Sequence, residues 1–225
     1  KRGRKPRMAM KFRSQNGEDA AIWEALDGQL EGLYFEVGAF DGLYYSVSYA
    51  FDAVGWDGLL VEAIPERYEQ CVKNRPHAKV EHAALVGPGA PASLKFTVVE
   101  DAYGGMLSFA NTDASHKQAV KDLPKREVEV PTATLDSLLG KHFDGRRLDF
   151  ASIDVEGGEL EVLRGFDLER WRPRILMLED NSGGDRRIDE YMKDKAYQFV
   201  AWVEMNRVYA RKDERGIMEV MMQRM

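Results

Sequence analysis

The sequence predicts an α/β fold with a mostly parallel, Rossmann-like sheet, and three observations lead to that prediction. Short apolar runs alternate with helix-like segments along most of the 225 residues. The run in LYFEVGAFDG at 33–42 ends in an acid and two glycines, and the run in LLVEAIPERY at 59–68 ends in Glu62. The last two apolar runs, at 199–203 and 208–210, are separated by only a few residues, which predicts an antiparallel C-terminal strand.

Each element follows from hydrophobic periodicity, cap-type residues and helix breakers. The first helix, for example, begins with cap-type residues and carries apolar side chains at helical spacing. In chain order, the predicted elements are a helix at 14–30, a strand at 33–37, a helix at 46–54, a strand at 58–62, a helix at 66–74, a strand at 79–86, short strands at 93–99 and 126–130, a helix beginning at 134–139, a strand at 148–155, a helix at 159–164, a strand at 174–178, a helix at 185–194, and strands at 199–203 and 208–210.

The chain is predicted to form one domain over residues 14–225, because 44% hydrophobic content suits one sizeable core. Residues 1–13 contain the basic run KRGRKPRM before any hydrophobic periodicity, which predicts a disordered tail. Proline and glycine interrupt the pattern over 87–131, which predicts an insertion or lid. The methionine-rich C terminus is expected to pack on the sheet, and a homo-oligomer stays open.

Composition narrows the classes of partner and compartment. A formal net charge of -6 argues against a general affinity for nucleic acid, which rewards clustered Lys and Arg. Cys71 is the only cysteine, so an intramolecular disulfide and a cysteine-based zinc site are excluded. No run approaches the roughly 20 apolar residues that span a bilayer. We therefore expect a protein of a reducing compartment, the cytoplasm, without a transmembrane segment.

Polar side chains gather at the predicted carboxyl ends of the strands. In open α/β sheets ligands bind beyond those ends, where the strand order reverses and the loops diverge. The residues expected at this rim are Glu36, Gly38, Asp41, Glu62, Asp154, Glu156, Asp180 and Asn181. Their convergence predicts a ligand site there.

The glycine turn after the first strand suggests the kind of ligand. Gly38 and Gly42 have GxxxG spacing, whereas a dinucleotide fold uses GxGxxG and a P-loop adds Lys and Ser or Thr. The ligand is therefore not expected to be held by phosphate. An acid in the turn suits a cofactor with an amine and a sulfonium, such as S-adenosylmethionine, and Glu62 is placed to accept hydrogen bonds from ribose hydroxyls.

Several motifs, in order over 14 to about 181, resemble the FkbM family of S-adenosylmethionine-dependent methyltransferases. They are SQNGED at 14–19, FEVGAFDG at 35–42, GWDGLLVEAIPERY at 55–68, TLDSLL at 134–139 and DFASIDVEGGELEVLRG at 149–165. The resemblance implies a class I methyltransferase sheet with helices on both faces. It also implies a residue set: Glu36, Gly38, Ala39, Asp41 and Gly42 around the methionine part, Glu62 at the ribose, Ala63 and Ala83 near the adenine, and Gln15 and Asp19 closing over the cofactor.

Asp154, Asp180 and Asn181 also form a candidate Mg²⁺ site, because carboxylate and amide oxygens are ligands that this ion prefers. The alternative is that Asp154 orients a ligand directly while Asp180 and Asn181 cap the next helix or turn. The candidate general bases are Asp154, His82 and His116, since a base must remove a proton as the new bond forms.

The expected activity is methyl transfer from S-adenosylmethionine to a hydroxyl oxygen of a sugar, glycolipid or small metabolite. Two alternatives stay open. The chain could be a binding or scaffold protein that keeps the cofactor fold without turnover, or a nicotinamide-dependent oxidoreductase, against which the missing GxGxxG counts.

Overall fold

The computed structural model describes residues 10–100, 104–110 and 114–223, with no side-chain description for 114 and 115. Residues 1–9 of the predicted basic tail and parts of the predicted 87–131 insertion lie outside these ranges. In chain order, the elements are α1 (Glu18–Ala25), β1 (Leu33–Val37), α2 (Tyr49–Ala53), β2 (Asp57–Glu62), α3 (Pro65–Asn74), β3 (Lys79–His82), β4 (Ala84–Leu85), β5 (Ser93–Val99), α4 (Ala114–Ala119), β6 (Lys125–Ala133), α5 (Leu135–Phe143), β7 (Phe150–Ile153), α6 (Glu159–Arg164), α7 (Leu168–Trp171), β8 (Ile175–Glu179), α8 (Arg186–Met192), β9 (Tyr197–Val203), β10 (Asn206–Arg211) and α9 (Arg215–Met222).

The large sheet has seven strands in the order β3-β2-β1-β7-β8-β10-β9. The first five are parallel, and β10 runs antiparallel to both of its neighbours. The predicted mostly parallel sheet with an antiparallel C-terminal strand is confirmed. Chain order reverses between β1 and β7, so the loops after these two strands diverge and leave a crevice. Gly38 follows β1 and Asp154 follows β7 at that point.

Both faces of the sheet are covered, which explains why β1 is buried along its whole length. Alternate residues of β1 face opposite layers. Phe35 packs in one core cluster and contacts the ring edge of Phe166, with 5.3 Å between ring centroids. Tyr34 packs in the other cluster and stacks on Phe150 at 5.6 Å. β1 therefore contributes side chains to two separate hydrophobic layers, one on each face of the sheet.

The predicted strand at 79–86 is divided between two sheets. β3 pairs with β2 in the large sheet, whereas β4 pairs with β6 in a second sheet ordered β4-β6-β5. The backbone N–H of Ala83 donates to the Glu62 carbonyl at 3.1 Å, after which the chain leaves the large sheet. Ala84 then packs with Phe96, Val98 and Val130 in a small core of its own. The prediction of one continuous strand is wrong because the last residues of the predicted strand pack in this second core.

Two predicted helices are shorter than expected because side chains bind the backbone before them. The Asp19 carboxylate accepts hydrogen bonds from the N–H groups of Arg13 and Ser14, at 2.6 and 3.1 Å, so the chain before α1 forms a loop. Ser46 and Ser48 bind Glu36 and remain outside α2. Serine and aspartate commonly compete with the helix in this way.

The C-terminal α9 packs on the sheet as predicted, burying Ile217 and Met221 against the same layer as Tyr34. Within the described ranges, no helix is both long enough and apolar enough to cross a membrane.

Candidate active site

The cleft beyond the carboxyl ends of the parallel strands holds two adjoining chambers. The apolar chamber has a volume of ≈ 350 Å³, and its walls include Ala63, Ile64 and Ala83. The polar chamber has a volume of ≈ 740 Å³ and is lined mainly by carboxylate, amide and hydroxyl groups. Gly38 and Asp154 border both chambers. The reversal point of the sheet therefore connects an apolar recess to a polar one.

Gly38 makes the close approach between the two halves of the sheet. Its φ is 76°, and a Cβ built there would lie 1.8 Å from the backbone oxygen of Asp154. The N–H groups of Gly38 and Ala39 both point back to the Val61 carbonyl, at 3.0 and 3.2 Å. Only glycine fits this turn. Gly42 lies behind it, where a Cβ would collide with Arg75 and Cys71.

Glu62, at the end of β2, is buried at the bottom of the apolar chamber. Its carboxylate accepts hydrogen bonds from the N–H groups of Phe40 and Ile64, at 2.7 and 2.8 Å. Burial raises the pKa of Glu62 to about 7, and the backbone hydrogen bonds partly oppose that rise. The side chain is thus a fixed hydrogen-bond acceptor between the glycine turn and the start of α3.

Glu36, the fourth residue of β1, is 5% exposed and faces the polar chamber. Its carboxylate accepts hydrogen bonds from the Ser46 hydroxyl at 2.8 Å, from the Val47 N–H at 2.8 Å, and from both the N–H and the hydroxyl of Ser48. The loop before α2 therefore wraps around this carboxylate. Arg75, at the C-cap of α3, contacts both serines from behind.

The ends of β7 and β8 bring three carboxylates together. One oxygen of each of Asp154, Glu156 and Glu179 lies within 4.8 Å of the others. Asp154 is exposed to the open cleft, and partial desolvation, together with the charges of Glu36 and Glu18, raises its pKa. Burial also raises the pKa of Glu179, and the charge of Asp154 raises it further. Glu179 Oε2 is buried and has no hydrogen-bond partner among the residues that the structure describes.

The IDVEGG loop carries this cluster and is itself constrained. Glu156 has a φ of 56°, a left-handed conformation that is rare outside glycine and asparagine. Glu159, the first residue of α6, accepts hydrogen bonds from the N–H groups of Val155 and Gly157, each at 3.1 Å. Burial raises the pKa of Glu159 to about 7. The loop is thus tied down by one buried carboxylate while it presents another to the cleft.

Two residues of the predicted Mg²⁺ set, Asp180 and Asn181, have contacts of their own in the structure. The Asp180 carboxylate pairs with Arg207 at 2.5 Å and accepts from Ser182 and from the Asp185 N–H. These contacts hold the pKa of Asp180 below its usual value although burial opposes them. The Asn181 amide donates to Glu156 at 3.3 Å. Both residues border the polar chamber, but the oxygens of Asp180 already serve the loop before α8. Asp154 instead lies with Glu156 and Glu179, whose oxygens could hold a metal ion, and the metal site stays a prediction.

The two candidate histidines occupy different places. His82 stacks on Tyr68, with 5.2 Å between centroids, and its Nε2 lies 3.0 Å from the Ala63 carbonyl oxygen. It borders neither chamber. His116 borders the polar chamber, where its Nδ1 lies 3.3 Å from a Glu156 oxygen. Of the predicted bases, the structure thus brings Asp154 and His116 to the cleft and leaves His82 behind its wall.

Other predicted cofactor residues also differ in position. Gln15 and Ala39 border the polar chamber, and Ala63 and Ala83 border the apolar one. Asp19 is completely buried and holds the backbone before α1, outside both chambers. Asp41 likewise faces its own turn, where it accepts from the N–H groups of Leu43 and Tyr44. These two acids shape loops around the cleft.

Sequence reasoning missed Glu179, although it placed this residue at the end of a strand. The useful signal was an acid that continues a buried apolar run, ILMLE, beside the acidic IDVEG loop. It also missed Ser46, Ser48 and Arg75. No local pattern marks these three, because Arg75 is 29 residues from Ser46 along the chain.

The strand order and the glycine turn at the reversal point define a Rossmann-like class I methyltransferase fold. The sequence matches the model of the methyltransferase FkbM domain over residues 36–199. That match covers more than half of the chain, which therefore belongs to the FkbM methyltransferase family, and S-adenosylmethionine is the methyl donor that this family and fold imply.

Curated relatives match over short stretches. Methyltransferase 1 of Beauveria bassiana (strain ARSEF 2860) is 36% identical over 61 residues, which are 27% of this chain and 24% of the relative. Methyltransferase sdnD of Sordaria araneosa is 33% identical over 81 residues, 32% of this chain and 31% of the relative. The matched part thus spans about a quarter to a third of each relative.

Solved structures match over most of the chain at low identity. A TehB-like SAM-dependent methyltransferase from Corynebacterium glutamicum has a TM-score of 0.47 and 9% identity, covering 88% of this chain and 89% of that one. Precorrin-6y C5,15-methyltransferase from Geobacter metallireducens has a TM-score of 0.44 and 14% identity, covering 91% and 93%.

Proposed function

We propose that this protein transfers a methyl group from S-adenosylmethionine to a hydroxyl oxygen of a small, uncharged acceptor such as a sugar, a glycolipid headgroup or a small metabolite. One observation carries the proposal. At the reversal point of the sheet, the turn at Gly38 joins an apolar chamber that ends at Glu62 to a polar chamber that contains Asp154 and Glu179.

The residues of the first half of the sheet suit the methyl donor. The alanines of the apolar chamber leave room for a flat ring, and Glu62 offers a fixed acceptor for ribose hydroxyls. Glu36 places a carboxylate beside the turn, where a cationic amino acid part would be stabilised. When bound, the donor supplies a methyl group that its positively charged sulfur already activates.

Asp154 is the proton acceptor in this proposal. Formation of the bond between the acceptor oxygen and the methyl carbon would break the carbon–sulfur bond of the donor and leave S-adenosylhomocysteine, while the hydroxyl proton passes to the Asp154 carboxylate. Two adjacent acids cannot both ionise easily, so one proton stays on the pair and Glu179 is its holder. Asp154 then has one ionised oxygen facing the cleft and a raised pKa that favours accepting a proton. No step is assigned to a metal.

The charge of the polar chamber supports an uncharged acceptor. Its walls carry the carboxylates of Glu36, Asp154 and Glu156, against which Arg187 is the guanidinium among its described residues. A phosphate-bearing acceptor would meet repulsion there. This argues against a nucleic acid and against acceptors that carry a carboxylate.

The described parts of the 87–131 segment cover the apolar chamber, and we propose that the segment selects the acceptor. Arg67 of α3 donates to the Gly104 carbonyl at 2.9 and 2.6 Å and lies over the Phe40 ring. Met106 borders both chambers. The segment is therefore fastened to the donor side and reaches over the site of transfer.

Calorimetry with S-adenosylhomocysteine tests the donor assignment. Glu62→Gln removes a charged acceptor but keeps one carbonyl oxygen, so we expect affinity to fall about 10- to 100-fold. Glu69→Gln, on the exposed side of α3, is the control and should bind as the unchanged protein does. Equal affinity in the two variants would remove Glu62 from the ribose site. Tighter binding of a nicotinamide dinucleotide would instead support the oxidoreductase alternative.

A methyl-transfer assay over a panel of hydroxyl acceptors tests the reaction. We expect turnover with an uncharged acceptor and full activity in the presence of a chelator. Loss of activity in chelator that Mg²⁺ restores would return a metal to the site. Binding of donor without transfer to any acceptor would favour the scaffold alternative.

A further inference from the structure

The side chain of Arg75 is buried directly behind the donor side of the cleft. The residue is 1% exposed, although it caps the exposed helix α3. Its Nε donates to Asp52 at 3.0 Å, and its Nη2 donates to the Tyr34 hydroxyl at 2.6 Å. A buried guanidinium is costly unless its donors are satisfied, and these contacts anchor it.

The remaining donors of Arg75 reach the loop that surrounds Glu36. Nη1 contacts the Gly42 carbonyl at 3.1 Å and the Ser46 hydroxyl at 3.2 Å, while Nη2 contacts the Ser48 hydroxyl at 3.0 Å. The same two hydroxyls donate to the Glu36 carboxylate. Each serine thus stands between the guanidinium and the carboxylate.

The direction of these hydrogen bonds is fixed by chemistry. A guanidinium has only donors, so the hydroxyl oxygens of Ser46 and Ser48 must accept from Arg75. Their protons then point to Glu36, which accepts both. Because Arg75 is anchored and the two hydroxyls cannot rotate freely, the orientation of the Glu36 carboxylate is fixed.

The charges of this network are unequal. Glu36 and Asp52 bring two carboxylates to a single guanidinium, and Glu36 is the one that faces the polar chamber. A cationic group bound in the polar chamber would neutralise the remaining negative charge of this network. The amino group of a bound amino acid has that charge and size.

We propose that Arg75 is a positioning residue that acts through Ser46 and Ser48 to aim Glu36 at the ammonium group of the methyl donor. The proposal rests on the donor site described above, because it takes the methionine part to lie against Glu36. It separates two tasks: Glu62 and the apolar chamber recognise the nucleoside, whereas the Arg75 network recognises the amino acid part.

Two ligands that differ only in that part provide the test. S-adenosylhomocysteine carries the amino acid group, and 5′-methylthioadenosine lacks it. In Arg75→Lys we expect the affinity for S-adenosylhomocysteine to fall about 30-fold, while that for 5′-methylthioadenosine changes less than about threefold. Glu36→Gln should show the same split. In turnover, KM for the donor should rise with little change in kcat.

The control is Arg211→Lys. Arg211 is also buried and ion-paired, but it contacts Asp213, Glu214 and the Arg172 carbonyl at the other end of the sheet. It should change the affinity for neither ligand. An equal loss of both ligands in Arg75→Lys would reduce Arg75 to a general structural role and overturn the proposal.

Two further variants keep the test decisive. If Arg75→Lys fails to fold by circular dichroism, Ser48→Ala replaces it and should weaken S-adenosylhomocysteine alone, about fivefold. The double variant Arg75→Lys/Glu36→Gln should bind no more weakly than Glu36→Gln, because both changes interrupt one path; additive losses would contradict this. If the unchanged protein binds neither ligand, the donor site itself is wrong, which is a different failure.

Discussion

The two sides of the cleft hold their carboxylates in opposite ways. On the donor side, after β1 and β2, Glu36 and Glu62 each accept at least two hydrogen bonds from neighbouring backbone or hydroxyl groups. On the acceptor side, after β7 and β8, Asp154 and Glu179 face each other, and within the described ranges Glu179 Oε2 has no hydrogen-bond partner. The carboxylates of the donor side are thus held by protein hydrogen bonds without a ligand, whereas those of the acceptor side are not fully hydrogen-bonded.

This difference shows where binding and chemistry divide. A site whose hydrogen-bond acceptors are already oriented binds its ligand with little reorganisation of the protein. Carboxylates that crowd one another in a poorly hydrated place are held at a cost, and they exchange protons more readily near neutral pH. We therefore expect variants of the donor side to change affinity and variants of the acceptor side to change rate.

The largest expected effect comes from closing the junction between the two sides. Gly38→Ala would put a Cβ 1.8 Å from the Asp154 backbone oxygen, so we expect loss of S-adenosylhomocysteine binding and destabilisation of more than about 3 kcal/mol. Gly145→Ala is the matched control, with the same φ of 76° but nothing within 4 Å of the added Cβ. It should cost about 1 kcal/mol by urea unfolding. Similar losses in both would show that strain, not contact, dominates.

The acceptor side is tested by Asp154→Asn. The substitution keeps the shape but removes the proposed proton acceptor, and we expect kcat to fall about 100-fold. Affinity for S-adenosylhomocysteine should stay within about twofold, because the donor side is untouched. Glu190→Gln, on the exposed surface of α8, should change neither quantity. A loss of affinity with unchanged kcat would reverse the assignment of the two sides.

Unfolding at different pH values tests the role of Glu159, which holds the IDVEGG loop in place. Burial raises the pKa of Glu159 from 4.5, the usual value for a glutamate, to about 7 in the folded protein, so its contribution to stability is present below pH 4.5 and lost as pH rises through 7. Glu159→Gln should match the unchanged protein at pH 5 and exceed it by about 2 kcal/mol at pH 8. Glu161→Gln, exposed on the same helix, should show no such trend. A constant difference across pH would contradict the expected titration.

The smallest effect is expected from relieving the backbone of Glu156. Glycine should stabilise this left-handed position by about 0.5 to 1 kcal/mol, and Arg172→Gly, at a φ of 49° away from the cleft, should do the same. Only Glu156→Gly should also lower kcat, since only Glu156 joins the carboxylate cluster. Thermal unfolding and a transfer assay measure the two effects. Equal activity in both variants would exclude Glu156 from the acceptor side.

The sequence predicted most of the large sheet because its signals are local. β1 was predicted with its observed bounds, since a buried parallel strand is a continuous apolar run that glycine ends. α6 was also predicted with its observed bounds. The division between β3 and β4 escaped prediction because Ala83 and Ala84 have no local feature that assigns them to different sheets.

The site was predicted in outline for the same reason. Gly38, Glu62 and Asp154 stand at strand ends, where sequence alone marks them. The ion pair of Asp180 escaped prediction because its partner, Arg207, is 27 residues away and enters from an antiparallel strand. Arg75 was invisible for a similar reason. Its role depends on the arrangement of four separate segments in the folded chain.

The second sheet has its own small core of Ile64, Ala84, Phe96, Val98 and Val130, separate from the two layers that cover the large sheet. This cluster shares no residue with those two layers, so a substitution within it changes packing beside the cleft and in neither layer. The second sheet borders the apolar chamber through Leu94 and Phe96, and Ile64 of the same core donates its N–H to Glu62. Under the proposed function, affinity for the donor's nucleoside could therefore be tuned from this small core without repacking the large sheet.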